Sequence, residues 1–210
     1  MSGPRFVISA TDTDVGKTVF AAALAGALGA SYWKPIQCGL EDGGDIARVK
    51  ALSGLPDDRL LPEVYRFALA ASPHRAAEAE SVEIDVARLA PPAVDVPLVI
   101  EGAGGLMVPV TRRMLLIDVL ATWGIPVVLC ARTALGTINH SLLSLAALRG
   151  RSIPVHGIVF IGDENTDTER TIAEMGDVRR LGRLPFVDPL DATSLAAAFA
   201  TNFRREDFTS

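Results

Sequence analysis

Residues 5–18 read R-F-V-I-S-A-T-D-T-D-V-G-K-T. An apolar run of strand character, Arg5–Ala10, enters a short polar turn that ends in Gly16-Lys17-Thr18. The Ala-rich stretch F-A-A-A-L-A-G-A-L follows at residues 20–28. A strand, a turn carrying Gly-Lys-Thr and a helix form the context of a phosphate-binding loop. Backbone N–H groups at such a helix start point at an anion, and the helix dipole adds favourable charge. Lys17 then reaches the outer phosphates, and the Thr18 hydroxyl offers a position for Mg²⁺. The usual pattern is G-x-x-x-x-G-K-[ST], and this chain has Thr11 at its first glycine. The tripeptide therefore gains its weight from standing between strand and helix. The competing account is a tight strand-to-helix turn, with Gly16 present for packing and Lys17 in solvent.

Outward from this corner, apolar runs alternate with helical patterns. Strands are predicted at 5–10, 31–36, 64–67, 97–101, 125–132, 155–161 and 181–184. Helices are predicted at 16–28, 45–53, 84–89, 115–123, 139–148, 167–175 and 194–203. The runs P-L-V-I-E-G, I-P-V-V-L-C-A and V-H-G-I-V-F-I are continuously apolar, which fits strands covered on both faces of a parallel sheet. The alternation predicts βαβ units and an α/β fold, doubly wound and mainly parallel, with helices on both faces. There is no internal repeat, and the proline-rich stretch 89–97 feeds straight into a strand, so residues 1–210 are expected to form a single P-loop α/β domain.

Composition narrows the function. The chain has 210 residues and a formal net charge of −5, which argues against a broad nucleic-acid footprint. No apolar run reaches the roughly 20 residues of a membrane helix, and M-S-G-P-R-F-V-I-S-A reads as the approach to a first strand rather than a secretory leader. Cys38 and Cys130 stand far apart and are expected to be reduced thiols, so the chain is expected in the cytoplasm, away from membranes. Of 20 basic residues all but Lys17, Lys34 and Lys50 are Arg. Because ammonium and guanidinium are not interchangeable at a phosphate, each lysine is a candidate. Lys50 falls in a helical stretch and reads as a solvated face residue. Lys34 ends the second predicted strand, where an unpaired ammonium would be costly to bury unless an anion lies beside it.

Magnesium on a triphosphate needs one or two carboxylates beside the phosphates, and in an open α/β sheet the site lies beyond the carboxyl ends of the strands. Glu101 stands at that edge, followed by Gly102, Ala103, Gly104 and Gly105, whose small size allows close approach of a ligand. Asp45 follows Gly43-Gly44 at a helix start, where a capping role is the alternative.

The ordered set T-D-T-D-V-G-K-T, K-P-I-Q-C-G, G-D at 44–45, S-P-H at 72–74, E-G-A-G-G and G-T-I-N-H resembles the dethiobiotin synthetase family of biotin biosynthesis, from residue 6 to about residue 190. The resemblance implies a P-loop ligase and a homodimer. It implies that 7,8-diaminopelargonate and CO₂ form a carbamate, which ATP phosphorylates and the second amine closes to a ureido ring, releasing ADP and phosphate. It places Asp14, Val15, Gly16, Lys17, Thr18 and Val19 on the phosphates and Thr18, Asp45 and Glu101 on Mg²⁺. Lys34 becomes the catalytic lysine, together with Lys17. Gly102, Ala103 and Gly104, and the turn Pro185-Phe186-Val187 beside the base, complete the nucleotide site. Thr13, Cys38, Ser72 and His74 fall to the substrate. Thr137, Ile138 and Asn139 would offer backbone N–H groups to the substrate carboxylate across the dimer, with helix capping as the alternative for Asn139. His140 and His156 are expected to be structural.

The chain departs from the family pattern twice. Cys38 stands where a hydroxyl is common, and a thiol donates weakly. Gly162-Asp163 stands where Asn-Asp reads adenine, which leaves the base preference open. A nucleotide-switch ATPase of the partitioning or positioning type is the alternative function, since such proteins share the architecture. Against it, Asp12 stands where that class has an extra lysine, and the mixed-charge tail A-T-N-F-R-R-E-D-F-T-S is a poor membrane binder.

Overall fold

A computed structural model describes residues 3–209. In chain order the elements are β1 (Arg5–Ala10), α1 (Lys17–Leu28), β2 (Ser31–Trp33), β3 (Ile36–Cys38), α2 (Gly44–Ser53), β4 (Leu60–Leu61), β5 (Tyr65–Phe67) and α3 (Pro73–Ala79). There follow β6 (Leu98–Gly105), β7 (Pro109–Thr111), β8 (Met114–Leu115), α4 (Leu116–Trp123), β9 (Val127–Arg132), α5 (Thr137–Gly150), β10 (Val155–Ile161), α6 (Thr166–Met175), β11 (Arg180–Leu184) and α7 (Ala192–Asn202).

Seven strands form one sheet in the order β11-β10-β9-β1-β6-β2-β4, and every pairing in it is parallel. β1 is the middle strand, and the chain leaves it toward β2 on one side and later returns to β9 on the other. A crevice beyond the carboxyl ends is the geometric result of such a reversal. Alternate residues of β1 serve opposite cores. Phe6 and Ile8 join a cluster with α1, α2 and α7, whereas Val7 joins Leu98, Ile100 and residues of α4. Both faces are covered, which is why the strands read as unbroken apolar runs. α1 is rich in alanine because it lies against the sheet and against α2 and α7, with Ala21, Ala22 and Ala25 buried.

Several boundaries differ from the expectation. The strand predicted at 31–36 breaks at Lys34-Pro35. Proline has no N–H for a ladder bond, and its carbonyl instead accepts from the amides of Val64 and Tyr65. β3 then pairs with β5 in a separate two-stranded sheet, so the strand predicted at 64–67 is not part of the main sheet. β6 runs past Glu101 through the glycines to Gly105, and its register with β1 slips between Ile8 and Ala10. The helix predicted at 84–89 is a single 3₁₀ turn at Val86–Leu89. The short elements α3, β4, β7 and β8 were not anticipated, being too brief to show a period. The remaining predicted helices and strands are present with ends shifted by one or two residues.

His156 has the structural place expected of it. Its ring packs 4.7 Å from Phe6 and 5.6 Å from Phe208, and its Nε2 lies 2.7 Å from the Asp207 carbonyl oxygen. Burial, opposed by that hydrogen bond, lowers its pKa from the ordinary 6.5. The unfolded chain therefore binds more protons than the folded one as pH falls through the ordinary value, and stability is lost in that direction. Urea midpoints at about pH 7.5 and about pH 5.5 should show a larger acid-side loss in the wild type than in His156→Gln. Equal losses in both proteins would contradict this.

Candidate active site

The phosphate-loop candidate lies at the end of the central strand. Gly16 caps α1 in the left-handed region (φ 100°, ψ 15°), and no side chain bonds the helix start. A Cβ at Gly16 would meet Ile161 Cγ2 at 2.9 Å, so glycine is required by conformation and by space. The first amides of α1 are thereby left free to point at an anion. Arg132 at the end of β9 fixes the loop: its Nη2 donates to the Thr13 carbonyl (3.2 Å) and lies 3.4 Å from Asp12 Oδ2.

Beneath the loop lies Glu101, fully buried. Its Oε1 accepts from Thr18 Oγ1 (2.7 Å) and sits 3.4 Å from both Lys17 Nζ and Lys34 Nζ. Its Oε2 accepts from the Tyr32 hydroxyl at 2.8 Å. Burial pushes the carboxyl pKa up, but Lys34, Lys17 and the two hydroxyl donors outweigh it and hold the group down at about 2. For Lys34, burial works against the charge, yet Glu101 and Asp45 prevail and raise its pKa. Both groups therefore stay ionised near neutrality. Lys34 also donates to Asp45 Oδ2 in a close ion pair. Asp45 stands in the first turn of α2, with its amide donating to Gln37 Oε1 at 3.3 Å, while Gln37 Nε2 donates to the Gly39 carbonyl at 2.8 Å. Lys50, by contrast, is exposed and pairs with Asp57, as a solvated residue should.

Above this cluster opens a cleft of about 700 Å³. Of the candidate residues, Thr13, Asp14, Gly16, Lys17, Thr18, Val19, Lys34, Cys38, Asp45, Ser72, Ala103 and Gly104 line it. Val15 points into the core beside the loop, and Gly102 lies beneath, against Leu116 and the Ile8 carbonyl. Burial raises the Cys38 pKa to about 11, so its thiol is neutral. Ser72 Oγ bonds His74 Nδ1 at 3.0 Å, but His74 itself lines a different hollow, with Glu78 and Arg112. Tyr32, Gln37 and Arg48 were missed by sequence reasoning. Nothing in S-Y-W-K marks the tyrosine as polar rather than core, and Arg48 reads as an ordinary exposed helix residue.

Two further groups of candidates stand apart from the cleft. Pro185, Phe186 and Val187 follow β11, with Phe186 exposed and close to Gly162. Gly162 has φ 125°, and a Cβ there would meet Thr133 Oγ1 at 2.7 Å; it borders the phosphate loop through Ile161. Thr137, Ile138 and Asn139 open α5 at the end of β9. Its cap is Gly136 in the left-handed region with no side-chain bond, so Asn139 does not cap the helix. Among the described residues no group of three or more His, Cys, Asp or Glu gathers to hold a metal. A cation here would draw on the Glu101 and Asp45 carboxylates, the Thr18 hydroxyl and a ligand's own oxygens, a hard-oxygen set suited to magnesium.

Sheet order, loop and buried lysine–carboxylate cluster define a P-loop nucleotide-binding α/β protein, and a family model described as an AAA domain matches residues 4–194. Full-length relatives narrow this further. The chain is 61% identical over 207 residues to the ATP-dependent dethiobiotin synthetase BioD of Rhodopseudomonas palustris strain BisB18, covering 99% of each chain. It is 62% identical over 202 residues to that of Rhizorhabdus wittichii (96% of this chain and 97% of the relative), and 60% identical over 204 residues to that of Agrobacterium fabrum (97% and 96%). The chain therefore belongs to the ATP-dependent dethiobiotin synthetase family. Solved structures of a ParA family ATPase from Chlorobium tepidum (TM-score 0.51, 13% identity, 95% and 92% coverage) and a Borrelia burgdorferi plasmid partition protein (0.53, 11%, 96% and 99%) share the architecture. At that identity they establish the fold alone, and the nucleotide-switch alternative has the weaker support.

Tyr32→Phe removes one donor from a fully buried carboxylate. A hydrogen bond to a charged group contributes about 2 kcal/mol, so urea denaturation should show a loss of that size. A loss below about 0.5 kcal/mol, the ordinary scatter of a neutral substitution, would contradict the assignment.

Proposed function

We propose that this chain converts 7,8-diaminopelargonate, CO₂ and ATP into dethiobiotin, ADP and phosphate in the cytoplasm, as a homodimer whose subunits are each a single P-loop domain. The carrying observation is that two ammonium groups, Lys17 and Lys34, share one buried carboxylate oxygen at the floor of the cleft. One amine of the substrate attacks CO₂ and loses a proton, giving a carbamate. A carbamate oxygen displaces ADP from the γ-phosphorus. The second amine then attacks the carbonyl carbon of the mixed anhydride, closing the ureido ring and releasing phosphate.

No covalent part is asked of the protein, so positioning and charge neutralisation carry the rate. The residues 14–19 hold the phosphates with their amides. Lys17 follows the transferred phosphoryl group. Lys34, on the substrate side of Glu101, stabilises the carbamate and the charge that develops on transfer. A positive surround also favours the neutral amine that must attack CO₂. Thr18, Asp45 and Glu101 would hold Mg²⁺, which when bound neutralises phosphate charge. Thr13, Ser72 and Cys38 line the substrate end, the last as a neutral thiol. Phe186, between Pro185 and Val187, offers an exposed face to the base.

Three features support the dimer. The amides of Thr137, Ile138 and Asn139 do not open into the chain's own cleft. The Thr137 amide is taken by the Ala134 carbonyl at 3.2 Å, and with no side-chain cap on the helix the amides of Ile138 and Asn139 are left for a carboxylate. Large apolar side chains stand exposed at Leu135, Leu143 and Met107, as a covered interface would explain. Among the described residues no helix is long and apolar enough to cross a membrane.

The test supplies purified protein with diaminopelargonate, bicarbonate, Mg²⁺ and ATP and assays dethiobiotin. Product is expected, and Lys17→Ala and Lys34→Ala should each lower turnover by about 10²-fold or more, in the range of a lost transition-state donor. No product from the wild type, or near-normal turnover in Lys34→Ala, would remove the assigned chemistry.

A further inference from the structure

The cleft holds more cationic residues than the mechanism uses. Arg48 lines it beside the phosphate loop, together with Lys17, Thr18 and Val19. It stands on α2 three residues after Asp45, and so on the same helical face. The nearest acid in sequence is already committed, because Asp45 pairs with Lys34. Among the described residues the Arg48 guanidinium has neither a salt bridge nor a side-chain hydrogen bond. It is also exposed, so no contact among the described residues requires its charge.

The charge balance of the floor gives that free guanidinium a purpose. Lys17 and Lys34 are matched by the buried Glu101 and the half-buried Asp45, so the charges of the floor cancel. A triphosphate entering the cleft with one Mg²⁺ still brings net negative charge to a site that is neutral overall. Asp14 also lines the cleft, which adds to the deficit. Arg48 is the one arginine among the lining residues. Its planar fork can span two phosphate oxygens where an ammonium acts as a point charge.

We propose that Arg48 is a further nucleotide-binding residue, closing on the polyphosphate from the solvent side of the cleft opposite the buried lysines. The role rests on the ATP-dependent reading above and concerns the nucleotide rather than the diamine. The sequence hides it because an arginine in mid-helix looks like any solvated residue.

The experiment measures two things on the wild type, Arg48→Ala and Arg48→Lys: calorimetric affinity for a non-hydrolysable ATP analogue with Mg²⁺, and KM for ATP and for diaminopelargonate. Arg48→Ala should weaken analogue binding and raise KM for ATP about tenfold, which is about 1.4 kcal/mol. KM for the diamine should stay within about twofold, and Arg48→Lys should recover part of the loss. Unchanged nucleotide affinity in Arg48→Ala would overturn the proposal. So would a rise confined to the diamine KM, or a loss of both affinities accompanied by a lower urea midpoint. Analogue binding without dethiobiotin in the wild type would defeat the assigned reaction while still deciding the place of Arg48.

Discussion

A carboxylate with no exposure to water sits at the centre of this molecule, and two ammonium groups and two hydroxyls surround it. An isolated ion in that position would be expelled or neutralised. Glu101 remains charged because β6 places it next to the first turn of α1, where Thr18 and Lys17 are, and next to β2, which carries Tyr32 and is followed at once by Lys34. Two parallel strands and one helix thus meet in a single electrostatic knot. Removing either sign leaves the other buried and unmatched, and the loop, Lys34 and the core are fixed by the same contacts.

The knot also suits the cleft to an anionic ligand. In the protein alone Lys34 turns to Asp45 and Glu101, the best acceptors present. A phosphate with its divalent cation offers alternatives to both sides of that pair, since the metal can take the carboxylates and the phosphate can take the ammonium. Such an exchange would keep these charges compensated before and after binding.

Much of this was legible in the sequence where a pattern extends over many residues. The unbroken apolar runs of β6, β9 and β10 declared a covered parallel sheet, and Gly16-Lys17-Thr18 between strand and helix declared the loop. Glu101 was legible because it ends an apolar run. The failures were of two physical kinds. Short elements, such as α3 and the β3–β5 pair, depend on tertiary contacts and have no period to read. Single polar residues with a partner far along the chain leave no local trace: Tyr32 lies 69 residues from the carboxylate it serves. Pro35 was visible, but its consequence, the transfer of the chain into a second sheet, depended on the Val64 and Tyr65 amides that donate to its carbonyl and that only the fold brings there.

The central claim is that Lys34 leaves its carboxylate partners for the group being phosphorylated. A crystal structure with Mg²⁺, a non-hydrolysable ATP analogue and diaminopelargonate tests this directly. The account predicts the polyphosphate on the residue 14–19 loop, with Lys34 Nζ within hydrogen-bonding distance, about 3 Å, of the terminal phosphate or the carbamate. An empty loop, or Lys34 still paired with Asp45 and turned from the ligand, would contradict it.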